Sequence, residues 1–457
     1  MHRVRLPAPC WEDYMGLTSS FVSLGDGTLP ASFDGLKSHV DIKWIEAALE
    51  QNGVATVRKR KLPAEQVAWL VIGMALYRDR PIAEVVDRLG LVLPGPNGEK
   101  RAITSGGITR ARDEVGADPM EDLFQTTAQH WALESADRHR WRGLMVLGGD
   151  GTMMRVPDSA ENREEFGLPP SSRRSAGYPQ IRGVGLMVLR SHLLLDFAFA
   201  GCKIGEVPLA EPLIQRVPDH SLTIMDRLFI HYLLLHRIHA GGENRHWLVR
   251  AKKNLKWKVI KRLGRGDTLV EIEFPPAVRR EHPELPRTFL ARVVQYRRKG
   301  FRARTLLTSL LDPEQYPAVE IADLYHERWE LELGYDEIKT EMLERMEAIR
   351  SQAPERVRQE IWGLTVAYNL VRREMEAAAL ELGVAPRRIS FRGSLRLIRD
   401  LFMWAAVASP GSLPKMLKGL RLDMRDFILP PRRSERRYRR HVKIKMSGYA
   451  RNDEHPA

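Results

Sequence analysis

The sequence predicts an α/β or α+β fold: a mixed sheet flanked by helices, with a β-rich insertion and helical N-terminal and C-terminal regions. Three observations lead there. Across residues 142–251, apolar runs of strand length alternate with helical periodicity in the order strand, hairpin, helix, strand, helix, strand. Residues 252–317 turn irregular and strand-rich, and both flanks repeat apolar residues at the three-to-four spacing of helices. At 457 residues the chain exceeds one simple core. It divides into a helical N-terminal region (1–125), the first part of a sheet domain (126–251), the insertion (252–320), the second part of the sheet domain (321–375) and a helical C-terminal region with a basic tail (376–457).

In the N-terminal region, residues 40–51, 64–77 and 82–89 carry helical apolar spacing, and Gly90 stops the third before the turn-rich 93–99. Residues 104–115 form a fourth helix, bearing Arg110 and Arg112 and stopped by Gly116. Short helices beside Arg58, Lys59, Arg60 and Lys61 fit a helix-turn-helix-like DNA reader; an all-helical domain with a solvated basic loop fits as well. In the sheet domain, 144–147 is a short strand running into Gly148, Gly149, Asp150 and Gly151. Residues 184–189 and 193–199 are strands divided by Arg190, Ser191 and His192, a hairpin signal. A helix over 206–217 carries Pro208 and Pro212, 222–225 is a strand ending at Asp226, 228–239 is a helix and 247–251 a fifth strand.

The strands at 268–274, 288–296 and 304–308 read as an insertion rather than a continuation of the sheet. Long helices are expected over 322–350 and 356–380. Between Pro430 and Lys445, Arg432, Arg433, Arg436, Arg437, Arg439, Arg440, Lys443 and Lys445 face one Glu435, which makes either a phosphate-contacting arm or a solvated tail.

Composition narrows the function. Hydrophobic residues at 43% and charged residues at 28% exclude wholesale disorder. Lys+Arg 72 against Asp+Glu 58, a net +14, favours a polyanionic partner, because neutralised phosphates release counterions. Ten Trp and eleven Tyr among basic side chains can stack on unpaired bases. Cys10 and Cys202 belong to no cluster, and His220, His231, His239 and His246 show no ligand spacing, which argues against a disulfide framework and a zinc site. No phosphate-cradling Gly-rich loop, signal peptide or membrane span is legible, so neither ATP use nor a membrane is expected, and the cytoplasm, beside the nucleoid, is the default compartment.

The chemistry rests on three carboxylates. Asp150 and Asp226 each close a short apolar strand, where a rigid carboxylate can meet a hard divalent cation; strand-terminating Asp and Gly are also common without function. Arg328, Glu332 and Lys339 lie three, seven and fourteen residues beyond Tyr325, offsets that return to one helical face. An aromatic, a guanidinium, a carboxylate and an ammonium on one face suit phosphoryl transfer. For Glu327, Glu330 and Glu337 the rival reading is an exposed helix laced with i,i+4 ion pairs.

At these residues the chain resembles the insertion-sequence-four family of DDE transposases. Tyr325, Arg328, Glu332 and Lys339 match its Y-R-E-K signature; Asp150-Gly151-Thr152 with Pro157-Asp158, and Asp226-Arg227, look like its first and second Asp motifs. Arg60-Lys61-Leu62-Pro63 and Gly73-Met74-Ala75-Leu76-Tyr77 resemble its N-terminal domain, so the likeness spans roughly residues 25–375. The resemblance implies a ribonuclease-H-like core with a β insertion and a DNA-binding N-terminal domain. It also implies two Mg²⁺ or Mn²⁺ ions held by Asp150, Asp226 and Glu332, and a substrate of double-stranded DNA, the element's terminal inverted repeats and the target. Cut-and-paste transposition would proceed by hydrolysis at the element ends, a hairpin intermediate with a flipped base, and 3′-OH strand transfer by a homodimer in a synaptic complex.

Tyr325, Arg328, Lys339, Arg227, Arg110 and Arg112 would contact DNA, and Trp329 would stack near the hairpin unless it is a core residue. The family's hairpin-forming members carry a further Trp in the insertion, whereas this chain has none between Trp257 and Trp329. Tyr296, Phe301 and Trp257 are the aromatics left for the flipped base, or the hairpin step differs. A stand-alone nuclease with the same core and a catalytically inactive DNA-binding derivative are the rival readings.

Overall fold

The computed structural model describes residues 40–55, 61–93, 101–169, 177–252, 254–298, 302–344, 348–405 and 412–431. Cys10, Arg58–Arg60, Phe301 and the basic tail beyond residue 431 lie outside them.

Among the described residues five helices come first: α1 (Ile42–Gln51), α2 (Ala64–Leu76), α3 (Ile82–Arg88), α4 (Ser105–Val115) and α5 (Asp118–Arg138). Thr104 caps α4 by accepting from the Gly107 N–H at 3.1 Å, the local reason the helix starts there. The 21-residue α5 is absent from the sequence reading. It packs against α1, the sheet and a C-terminal helix at once, so its buried residues (Phe124, Ala128 and Trp131 among them) make no single stripe to read. It also runs across the expected boundary at residues 125/126. In α2, every residue but Glu65 and Gln66 is buried, so this helix has no free face for a DNA groove.

Among the described residues the sheet has nine strands: β1 (Met145–Arg155), β2 (Gln180–Val188), β3 (Leu194–Gly201), β4 (Ser221–Met225), β5 (Arg245–Arg250), β6 (Lys258–Gly264), β7 (Asp267–Glu273), β8 (Thr288–Tyr296) and β9 (Arg304–Thr308). Interleaved are α6 (Ala160–Phe166), α7 (Glu206–Gln215), α8 (Tyr232–Ala240) and α9 (Pro276–Glu281). The order across the sheet is β3-β2-β1-β4-β5-β9-β8-β7-β6. β1, β2 and β3 pair antiparallel, while β4 is parallel to both β1 and β5. Strands β1–β5 in this order and these directions, with helices on both faces, form a ribonuclease-H-like core.

The insertion departs from its expected form. β9 pairs antiparallel with β5 from Leu248↔Thr308 to Arg250↔Leu306, so residues 252–320 extend the core sheet rather than stand apart from it. The joint is reinforced by the Thr308 hydroxyl, which donates to the Trp247 carbonyl at 2.7 Å. A five-residue joining strand is too short to announce such continuity. The edge strand β6, exposed along most of its length, also escaped the sequence reading.

The expected helix over 322–350 is a chain of shorter pieces. α10 (Ala318–Tyr325) tightens into a 3-10 turn (His326–Arg328), continues as α11 (Trp329–Asp336), and widens into a π-helix (Glu337–Met342). It ends there rather than at residue 350. Similarly, the helix expected at 228–239 begins with a separate 3-10 turn (Arg227–Phe229) before α8. Helices α12 (Pro354–Leu382), α13 (Phe391–Ala405) and α14 (Leu413–Asp423) complete the fold.

One buried apolar cluster runs from Val40 in the N-terminal helices through the sheet and α12 to Met424. The helical regions and the sheet therefore share a core, a large hydrophobic term that ties the N-terminal helices to the C-terminal ones. A second cluster fills the space between α7, α8 and the outer strands. No helix among the described residues is long and apolar enough to cross a membrane.

Candidate active site

The site forms where β4 ends. The last rung of the parallel β1–β4 ladder is Gly149↔Met225, so Asp150 and Asp226 are the next residues on two neighbouring strands, whose usual separation is about 4.8 Å. Asp226 caps the 3-10 turn, its carboxylate accepting from the Leu228 N–H at 2.6 Å. Asp150 does not close its strand as expected. β1 continues five residues past it, because Gly148, Gly149 and Gly151, which read as a stop, are strand residues. Two of these glycines sit at close approaches. A Cβ on Gly148 would lie 2.7 Å from Leu331 of α11, and one on Gly151 would lie 2.4 Å from the Glu206 carboxyl.

The absence of a side chain at Gly148 lets α11 settle onto β1 and brings Glu332 to the same place. Arg328 joins the two elements: its Nη1 donates to Asp150 Oδ2 at 3.0 Å and its Nη2 to Glu332 Oε1 at 2.6 Å. The Gly151 N–H donates to the other Asp150 oxygen at 2.8 Å. Burial pushes the Asp150 carboxyl up to about 6; Gly151 and Arg328 pull it down, and the like charges of Asp226 and Glu206 push it further up. Burial works against the Arg328 guanidinium, but Glu332, Tyr325 and Asp150 outweigh it and hold its pKa above the ordinary value. Tyr325 completes this shell. Its hydroxyl is pushed up to about 12, first by burial and then by Asp226, while Arg328 and Arg250 pull it down.

The structure thus brings together Asp150, Asp226, Tyr325, Arg328 and Glu332. Arg227 is exposed on the turn behind Asp226, and Trp329 is 45% exposed, so it is not a core residue. Lys339 is half-buried in the π-helix. Tyr296 meets His326 edge-on at 5.7 Å, beside the helix that carries Tyr325, whereas Trp257 packs on the second apolar cluster.

In the N-terminal region Arg110 is exposed, but Arg112 does not face DNA. Only 3% exposed, Arg112 donates to Gln359 at 2.8 Å and to Ser351 and the Arg356 carbonyl at 3.1 Å, pinning α4 to α12. Charge on a helix does not reveal which way it points. Two further residues went unread: Glu206, the first residue of α7, and Tyr335, whose hydroxyl bonds the β1 backbone at Asp150. Both act across the sheet, and no local spacing marks them.

Oxygen donors from Asp150, Asp226, Glu332 and the adjacent Glu206 are the chemistry a hard divalent cation needs, and one cation, the Arg328 guanidinium, already sits between two of them. In this conformation no three His, Cys, Asp or Glu side chains among the described residues close into a metal cage. Carboxylates on the central strands of such a sheet, facing a third on a covering helix, are the layout of an enzyme that transfers phosphoryl groups in nucleic acid.

Residues 30–125 match the family model described as the insertion element 4 transposase N-terminal domain, and residues 143–370 match the transposase DDE domain. The transposase InsG of insertion sequence element IS4 from Escherichia coli (strain K12) is 37% identical over 431 residues, covering 94% of this chain and 93% of InsG. A second transposase-type protein of that organism, InsZ, is 36% identical over 249 residues, 54% of this chain and 81% of InsZ. Among solved structures, a piggyBac transposase synaptic complex with hairpin DNA aligns over 87% of this chain and 83% of its own, at 11% identity and a TM-score of 0.40. The chain belongs to the insertion-element-4 family of DDE transposases. It is an enzyme of DNA transposition, and its DDE domain implies the use of divalent metal.

Proposed function

We propose that Asp150, Asp226 and Glu332 are the catalytic carboxylates of a cut-and-paste reaction and together hold two Mg²⁺ or Mn²⁺ ions. The observation that carries this reading is the shared guanidinium: Arg328 bonds Asp150 and Glu332 at once, with Asp226 on the adjoining strand. Bound there, divalent ions would neutralise phosphate charge and lower the pKa of the attacking water.

The chain's own groups do the rest. At the element end a water oxygen bonds to phosphorus as the 3′ oxygen leaves and takes up a proton; the freed 3′-OH is the nucleophile of the later steps. Arg328 exchanges its carboxylate partners for a DNA phosphate, which charge complementarity favours once the carboxylates are otherwise neutralised. Tyr325, Lys339 and Arg227 add phosphate contacts, and Arg110 marks the exposed face of α4 through which the N-terminal region (1–125) holds DNA.

Trp329, exposed on the helical run that also carries Tyr325 and Glu332, supports a hairpin route, because an aromatic platform offsets the cost of an extruded base, a few kcal/mol. Tyr296 is our choice for the flipped base, since it lies beside that helix. Terminal repeats and target are bound as double-stranded DNA by a homodimer in a synaptic complex. The test is an end-cleavage and strand-transfer assay in Mg²⁺ with wild type and Glu332→Gln. Loss of both products in the variant is expected, and wild-type activity would remove Glu332 from the site. A hairpin product on a denaturing gel is expected from wild type; only open breaks would refute that route.

A further inference from the structure

The β1–β2 ladder has an unusual rung at Asp150. Its hydrogen-bonded pairs alternate: Leu189 N–H donates to the Val146 carbonyl at 3.1 Å and Val156 N–H to the Pro179 carbonyl at 3.0 Å. The same register makes Asp150↔Gly185 such a pair, with the Gly185 N–H facing the Asp150 carbonyl. The Tyr335 hydroxyl takes part in this rung. It accepts from the Gly185 N–H at 2.9 Å and donates to the Asp150 carbonyl at 2.7 Å.

Tyr335 lies on α11, three residues beyond Glu332, so it shares the helical face of that carboxylate. A Cβ on Gly185 would fall 2.7 Å from the Tyr335 oxygen, so only glycine leaves room for this bond. The side chain is 7% exposed, which fixes the phenol in place. Burial and the charge of Asp150 raise its pKa well above the ordinary value, so the hydroxyl keeps the proton it donates.

We infer that Tyr335 is a positioning residue: through the Asp150–Gly185 rung its hydroxyl sets the spacing between the Asp150 strand and the Glu332 helix, and thereby the affinity of the site for divalent metal. This rests on the carboxylate reading proposed above. The other hydrogen bond from this helical run to Asp150 comes from the flexible Arg328 side chain, which must leave to serve DNA. Tyr335 is the link that stays.

The test uses the full chain bound to a duplex carrying the element's terminal repeat. Mn²⁺ binding is followed by electron paramagnetic resonance of the free ion and by calorimetry, well below the melting temperature, alongside the Mg²⁺ dependence of end cleavage. Tyr335→Phe keeps the ring and duplex binding. It is expected to weaken Mn²⁺ binding at least tenfold and to raise half-saturating Mg²⁺ similarly, with saturating Mn²⁺ restoring most of the rate. A merely structural tyrosine would lower Tm and leave both midpoints unmoved. Mn²⁺ affinity and Mg²⁺ half-saturation within twofold of wild type would overturn the inference.

Gly185→Ala retains the phenol but crowds its oxygen, so it moves both midpoints in the same direction and decides the matter should Tyr335→Phe fail to fold. Glu332→Gln separates the two claims. Wild-type Mn²⁺ affinity in that variant would sink the carboxylate reading, whereas its loss beside an unaffected Tyr335→Phe would sink only the role of Tyr335.

Discussion

The helical run from Ala318 to Met342 carries acidic residues on two sides, and the sides are treated oppositely. At the back, Glu330 bonds His192 at 3.1 Å and pairs with Arg387 at 3.3 Å, while Glu337 bonds Arg372 and accepts from the Tyr368 hydroxyl at 3.0 Å. Burial alone would raise the Glu337 carboxyl, but Arg372 and His192 outweigh it and hold it below the usual range. At the front, Arg328 bonds Asp150 and Glu332, Asp226 follows on the adjoining strand and Glu206 lies against Gly151, and Asp150 rises to about 6. Carboxylates with a full set of partners anchor the helix. Those short of positive charge are ready for a cation and a phosphate.

The contrast can be broken from either side. The largest expected effect is catalytic: Asp150→Asn should lower end cleavage at least ~1,000-fold, of order 4 kcal/mol of transition-state stabilisation, with terminal-repeat binding in EDTA retained. Cleavage within tenfold of wild type would mean that the front carboxylates are not the site. Next comes the back. Arg372→Met leaves Glu337 buried without its main partner and should cost about 3 kcal/mol, read as a lower denaturant midpoint. Arg328→Met at the front should cost far less stability and abolish cleavage instead; equal destabilisation of the two variants would erase the distinction.

A third effect is pH-dependent. The folded pKa of Asp150, about 6, lies above its ordinary 3.8, so its protonated form favours folding. That contribution is fully present below pH ~4 and is lost as pH rises through about 6, a change on the order of 2 kcal/mol. Thermal melts of wild type in EDTA, referenced to Asp150→Asn, should show this loss between pH 4 and pH 7; a gain over that range contradicts the assignment. The smallest effect belongs to Trp329→Ala, within about 0.5 kcal/mol of wild type in stability because the ring is exposed, yet with fewer hairpin products.

What the sequence made legible follows a physical line. Periodicity revealed strands and helices with one clean apolar face, and it revealed Tyr325, Arg328 and Glu332 because their spacing is local. It stopped β1 too early, since Gly148 and Gly151 serve contacts with Leu331 and Glu206 that lie far away in the chain. Arg112 looked like a DNA contact until the fold turned it onto Gln359. The exposed helix with i,i+4 ion pairs expected for Glu327, Glu330 and Glu337 does not form: their partners, Arg190, His192, Arg387 and Arg372, come from other elements, and Glu330 is buried. Glu206 and Tyr335 left no trace in spacing, because a residue that acts across a sheet is defined by register, and register is a tertiary property.

The most direct test of the account is an anomalous difference map at the manganese edge, from crystals of the full chain with a terminal-repeat duplex and Mn²⁺. The account predicts metal peaks ligated by Asp150, Asp226 and Glu332, with the Arg328 guanidinium moved onto a DNA phosphate. Manganese bound elsewhere, with Arg328 still bridging Asp150 and Glu332 beside the scissile phosphate, would contradict it.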